Sequence, residues 1–173
     1  MTVGQEEVKS VALVKDAALE DAQETRRAHW GTQLPIDPFS IARSLGIEIT
    51  YMTLDPGISG MLIRKKGRAP QIIVDENDTP ARQNFTVAHE IGHYIERVKV
   101  DPEGSFSFTD YRGAPAGRDL HEFYADEFAG NLLAPPQAVK MLSARGMSTI
   151  EMAKAFDISL PAMQTRLRRL GKS

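Results

Sequence analysis

Apolar residues recur at helical spacing over residues 5–29, where Val8, Val11, Ala12, Ala18, Leu19 and Ala22 are set among charges. That period predicts an amphipathic helix, which Gly31 and Pro35 bring to an end. A cap at Asp37, a proline at position 38 and a glycine at position 46 bracket a short second helix. The period then falls to two over residues 47–51, as in a half-buried strand. Asp55-Pro56-Gly57 makes a turn, and residues 58–64 and 71–74 read as two further strands joined by the basic turn Lys65-Lys66-Gly67-Arg68.

Helical spacing returns after Thr79-Pro80, a cap and a proline at the first helical position, with an apolar stripe at Phe85, Ala88, Ile91, Ile95 and Val98. Gly92 interrupts this helix at a cost of about 1 kcal/mol relative to alanine, which is recovered if another element needs to approach closely there. Residues 101–119 are rich in Gly and Pro, with only a brief alternation at Phe106 and Phe108, and read as a long irregular connection. Four helices complete the pattern, over residues 118–133, 136–145, 148–156 and 160–170. The expected class is α+β: mostly helical, with a small mixed or antiparallel sheet of three strands. Residues 1–146 form the main domain, and residues 147–173 form a helical element packed on it.

Composition narrows the chemistry. The chain has 173 residues, a formal charge of −2, four histidines and no cysteine. Bulk charge does not suit a protein that coats nucleic acid. Without cysteine there are no disulfides, iron–sulfur clusters or zinc–thiolate sites, so any metal is held by histidine and carboxylate. Charges at Glu6, Glu7, Lys9, Lys15 and Asp16 break up the N-terminal apolar residues, which leaves no secretory leader and no membrane span and predicts a cytoplasmic location.

Phe85-Thr-Val-Ala-His89-Glu90-Ile-Gly-His93-Tyr94 carries the chemistry. Histidines four residues apart project from one helix face and can grip one ion. Glu90 points to the side, where a carboxylate can act on a water as general base instead of ligating. A catalytic zinc site needs a third protein ligand. Glu122, 29 residues after His93 (122 − 93), has room for a loop and a second helix that crosses the first, and is the leading candidate. Asp126 lies one turn further along that face and supplies a carboxylate that can orient a ligating imidazole. His121 and Asp126 are the rival third ligands, although adjacent residues on a helix diverge by about 100° and His121 and Glu122 do not easily face one ion. Tyr94, Tyr111, Tyr124, His121 and Arg112 are candidate donors to an oxyanion.

H-E-x-x-H followed by E-x-x-x-D resembles the gluzincin class of zinc peptidases. The longer match, with Glu122-Phe-Tyr-Ala125-Asp126-Glu-Phe128-Ala129-Gly-Asn-Leu132-Leu133-Ala-Pro135 and, upstream, Leu34-Pro35-Ile36-Asp37-Pro38, is similar to the ImmA/IrrE family of metallopeptidases over roughly residues 25–170. The resemblance implies a zincin-like minimal metallopeptidase domain with His89, His93 and Glu122 as metal ligands and Glu90 as the catalytic base. It also implies a zinc-dependent endopeptidase that cleaves a helix-turn-helix repressor or an antitoxin in a bacterial, phage or mobile-element circuit. Gly130 departs from that family's usual bulkier residue without touching the chemistry. Zinc is the expected ion, and a site of two histidines and a carboxylate also accepts manganese.

Residues 148–170 have the cadence of a helix-turn-helix, and Arg166, Arg168 and Arg169 are of a type that reaches phosphates and bases. Met152, Phe156, Ile158, Met163 and Leu167 stand at core spacing, so a structural or partner-docking role is favoured over contact with DNA. The competing function is a transcriptional or protein-binding regulator that keeps the peptidase frame and does little proteolysis.

Overall fold

The structure, a computed structural model, describes residues 3–111 and 119–171. In chain order these form α1 (Val3–His29), α2 (Pro38–Ser44), β1 (Glu48–Met52), β2 (Ile58–Arg64), β3 (Gln71–Asp75), α3 (Pro80–Val100), β4 (Phe106–Tyr111), α4 (Leu120–Leu133), α5 (Pro136–Ala144), α6 (Thr149–Phe156) and α7 (Leu160–Arg169). The caps fall where the sequence puts them. The Asp37 carboxylate accepts from the backbone of Phe39 and Ser40, and Thr79 accepts from Arg82 N–H. Ser148 and Glu151 close a reciprocal box at the start of α6.

The α+β class is as expected, and the sheet differs in one respect: four strands are present among the described residues, in the order β1-β3-β2-β4. β1 runs parallel to β3, and β2 is antiparallel to both β3 and β4, so the sheet is mixed. The added strand, β4, lies in the stretch read as irregular. It has two phenylalanines, only partial burial, and glycines and prolines around it, so its side chains give a weak periodic signal. Its order comes from backbone pairing along β2, in a register that sets Leu62 opposite Phe108 and Arg64 opposite Phe106.

Two apolar clusters hold the chain together. The larger joins α1, α2, one face of the sheet, α3 and α4, with Ala22, Ile41, Ile72, Val87, Ile91 and Phe128 fully buried. The smaller joins α5, α6 and α7 around Val139, Phe156 and Met163. Leu34 and Ile158 pack against both.

α3 is the axis of the larger cluster. Gly92 is the point where α4 crosses it: a Cβ there would stand 3.1 Å from the Cα of Ala125 and 3.2 Å from the Cβ of Phe128. The close approach expected at this glycine is real, and it sets the spacing between the two helices that carry the site. α1 closes over the far side of α4. There Asp21, buried, accepts from the Tyr124 hydroxyl at 2.5 Å and pairs with Lys99.

Candidate metal centre

The buried middle of α3 presents His89, Glu90 and His93, which are 3, 0 and 1 % exposed. Glu122 enters from the first turn of α4. His89 Nε2 and His93 Nε2 are 3.1 Å apart, and Glu122 places Oε2 3.3 Å from His89 Nε2 and Oε1 3.3 Å from His93 Nε2. These are the spacings of ligands around one small ion. A tetrahedral zinc with bonds near 2.0–2.1 Å puts its ligands about 3.3 Å apart. The three residues are therefore close enough to hold a metal ion. Two facing imidazole nitrogens and a carboxylate, with no sulfur, suit a borderline divalent cation such as zinc.

Each imidazole is oriented from behind in its own way. His89 donates from Nδ1 to Asp126 Oδ1 at 3.2 Å, so the carboxylate one turn beyond Glu122 fixes the ring. His93 Nδ1 is buried without a hydrogen-bond partner among the described residues. Its ring is held instead by stacking on Phe108 of β4, with centroids 4.3 Å apart and planes 4° from parallel. Without an ion the carboxylates govern titration. Burial alone would lower the His89 pKa, but the hydrogen bonds to Asp126 and Glu122 and the charge of Glu90 outweigh it and push the pKa up to about 10. Burial lowers that of His93. Glu122, hydrogen-bonded by both rings, is held well below the usual carboxylate range.

Glu90 stands apart from this set. Among the described residues, neither of its buried carboxylate oxygens has a hydrogen-bond partner, and burial pushes its pKa up to about 8. It rests against β2 at Gly60, where a Cβ would stand 3.7 Å from Glu90 Oε1 and 2.3 Å from Thr86 Cγ2. A buried acid that no protein group satisfies is an acid poised to exchange a proton with something brought to it.

A cleft of about 770 Å³ opens onto the site. Its walls are the first turns of α3, the end of β4, one face of α4 and the inner face of α7. The candidate oxyanion donors divide on this geometry. Tyr111 lines the cleft, and Arg112 lies outside the described residues. The other three do not line it. His121 is turned away and donates from Nδ1 to Glu96 Oε1 at 2.8 Å, which also removes it as a rival ligand. The Tyr124 hydroxyl is spent on Asp21, in the core against α1. Tyr94 lies beneath the guanidinium of Arg64, 5.8 Å from its ring centre.

Two of the three arginines of α7 are turned to the protein instead of to an outward, phosphate-reaching face. Arg166 is 5 % exposed, donating to Ala134 O at 2.9 Å and to Asn131 Oδ1 at 2.6 Å. Arg169 pairs with Glu127 at 3.0 Å. Among the described residues, Arg168 bonds only Thr165 of its own helix, at 2.9 Å, and remains on the outside. A helix amphipathic enough to resemble a recognition helix has turned two of its three cations inward, because α4 offers buried acceptors there.

The sequence passed over Arg82, Phe108 and Asp110. Arg82 donates to Ser59 Oγ at 2.9 Å and to Asp110 Oδ2 at 3.0 Å, which fixes the cleft wall where α3 begins. Asp110 adds its charge to the field at His89 and Glu90. The available signal was the period of two that puts Phe106, Phe108 and Asp110 on one strand face.

Residues 42–168 match the model of a peptidase family described as the IrrE N-terminal-like domain. No curated protein matches the chain closely.

Proposed function

Because the chain belongs to the family of IrrE N-terminal-like peptidase domains, we propose that it is a zinc-dependent endopeptidase that cuts a regulatory protein. The observation that carries this reading is a buried glutamate with both oxygens unpaired among the described residues, beside three converging ligand atoms of which those of His89 and Glu122 belong to residues lining an open cleft. His89, His93 and Glu122 would hold the ion, and Asp126 and Phe108 would orient the two rings. Zinc bound there supplies Lewis acidity, which polarises a substrate carbonyl and acidifies a water. Glu90 takes the proton from the attacking water and hands it to the departing amine, a role suited to a buried carboxyl whose oxygens no described protein group occupies. Tyr111, at the cleft wall, is the remaining described candidate to donate to the carbonyl oxygen.

The substrate in this reading is a helix-turn-helix repressor or an antitoxin in a bacterial, phage or mobile-element circuit, met in the cytoplasm. A cleft of about 770 Å³ accommodates several residues of extended chain. The inward set of Arg166 and Arg169 weighs against the competing reading of a DNA-binding regulator.

The test is to incubate the zinc-loaded protein with the repressor or antitoxin encoded beside it, and to follow fragments by mass spectrometry. Wild type is expected to yield defined fragments. Glu90→Gln is expected to bind zinc as tightly and to cut on the order of 10²–10⁴-fold more slowly, since a base has gone and no ligand has. Cleavage by Glu90→Gln at the wild-type rate would overturn the assignment of the base. A cellular response to the regulator that is unchanged in Glu90→Gln would overturn proteolysis as the function.

A further inference from the structure

The last helix of the chain reaches back to the metal centre. Asp126 divides its two oxygens: Oδ1 accepts from His89 Nδ1 at 3.2 Å, and Oδ2 lies 3.9 Å from the Arg169 guanidinium. The other arm of the same guanidinium meets Glu127 Oε1 at 3.0 Å. Among the described residues, Arg169 is the cation shared by these two neighbouring acids. Its approach is fixed by Arg166, one turn earlier on the same face, whose bonds to Ala134 O and Asn131 Oδ1 dock α7 on α4.

We propose that Arg169 is a positioning residue of the metal centre: it holds Asp126 in the rotamer that orients His89. A free Asp126 has another use for its charge, because it lies one turn from Glu122 on the face turned to the ion and can compete for it. With Oδ2 drawn toward Arg169, the carboxylate stays behind the His89 ring and keeps the proton on Nδ1, leaving Nε2 unprotonated for the ion. The C-terminal helix is therefore part of the metal site, although no residue of it ligates. The inference rests on the reading of His89, His93 and Glu122 as ligands and does not require peptidase activity.

Glu127 is 2 % exposed, so removing Arg169 alone would strand a buried charge and threaten folding. The comparison is accordingly made on a Glu127→Gln background in the full chain. Zinc affinity is read by competition with a chromophoric chelator, and site geometry by the visible spectrum of the cobalt-substituted protein. Glu127→Gln is expected to bind zinc as wild type does. Adding Arg169→Gln should weaken zinc by roughly tenfold or more, as loss of a ligand's orienting partner does, and shift the cobalt bands. Arg169→Lys in the same background should recover most of the loss. When Asp126→Asn is already present, Arg169→Gln should cost nothing further. An unchanged affinity and spectrum on adding Arg169→Gln would overturn the proposal, as would an equal loss with and without Asp126. Failure of wild type to bind zinc would instead remove the ligand assignment itself and this inference with it.

Discussion

Glu90 and His89 are neighbours whose pKa values the fold shifts in the same direction for different reasons, burial for Glu90 and facing carboxylates for His89. In protein stripped of metal, the folded state raises the Glu90 pKa from the ordinary 4.5 to about 8 and that of His89 from 6.5 to about 10. In both cases the folded chain binds the proton more strongly than the unfolded chain, so stability falls as pH rises. The Glu90 contribution is lost between about pH 4.5 and 8, and the His89 contribution between about pH 6.5 and 10. Glu122 has the opposite sign: its depressed pKa gives stability above 4.5 that is lost in acid. Thermal melts with chelator present should therefore peak near pH 5 and decline steadily toward pH 10. Glu90→Gln should flatten the decline below pH 8, and a Glu90→Gln profile that parallels wild type there would contradict the burial argument. Saturating zinc should raise the melting temperature most at high pH, since the ligands must be unprotonated to bind it. At this scale the sequence was highly legible for groups whose spacing is set by one helix. His89, Glu90 and His93 are fixed by the 3.6-residue turn, and Asp126 by its single turn from Glu122. It was poorly legible for the oxyanion donors, because a tyrosine on a helix does not announce which neighbour takes its hydroxyl. Tyr124 met Asp21, 103 positions away.

Two helices crossing at a glycine decide where the three ligands meet. Gly92→Ala gains about 1 kcal/mol of helix propensity. Against that, its Cβ would meet the Ala125 backbone at 3.1 Å and Phe128 at 3.2 Å, neither of them the far end of a flexible side chain. Overpacking of this kind costs about 1–3 kcal/mol, so the steric cost should win. The variant is expected to melt a few degrees lower and, because α4 is pushed away with Glu122 on it, to bind zinc more weakly than wild type. A more stable variant with unchanged zinc affinity would show that the crossing is not tight. The helices themselves were readable from period and caps, Pro80 and Pro136 included. β4 was not, because an edge strand is ordered by pairing to a partner that no local pattern names. Its Phe108, stacked on His93, nonetheless orients the second of the two candidate ligand rings.

For the molecule as a whole, the question is what the last three helices are for. A DNA-reading helix would lose function when either Arg166 or Arg168 is replaced. The packing predicts a split instead: Arg166→Ala removes charged hydrogen bonds to two buried acceptors and should cost about 2–3 kcal/mol of stability, whereas Arg168→Ala at the surface should stay within about 0.5 kcal/mol. Equal, small effects on melting with a shared loss of salt-sensitive DNA binding would restore the DNA reading. The fold class was legible from alternating periods and caps, but the inward turn of the α7 arginines was not, because amphipathicity says how a helix divides and not which partner it meets. None of the described helices is long and apolar enough to cross a membrane. Residues 85–126 carry the three side chains close enough to hold a metal ion, while residues 158–169 line the cleft beside them, and Leu34 and Ile158 pack against both apolar clusters at the seam. Divergence can then run at two speeds: substitutions along the cleft wall of α7 would reshape the cleft while His89, His93 and Glu122 stand untouched. Chains with the same three candidate ligands can then differ in what their clefts admit, with Arg166 and Arg169 as the anchors that keep the changing wall attached.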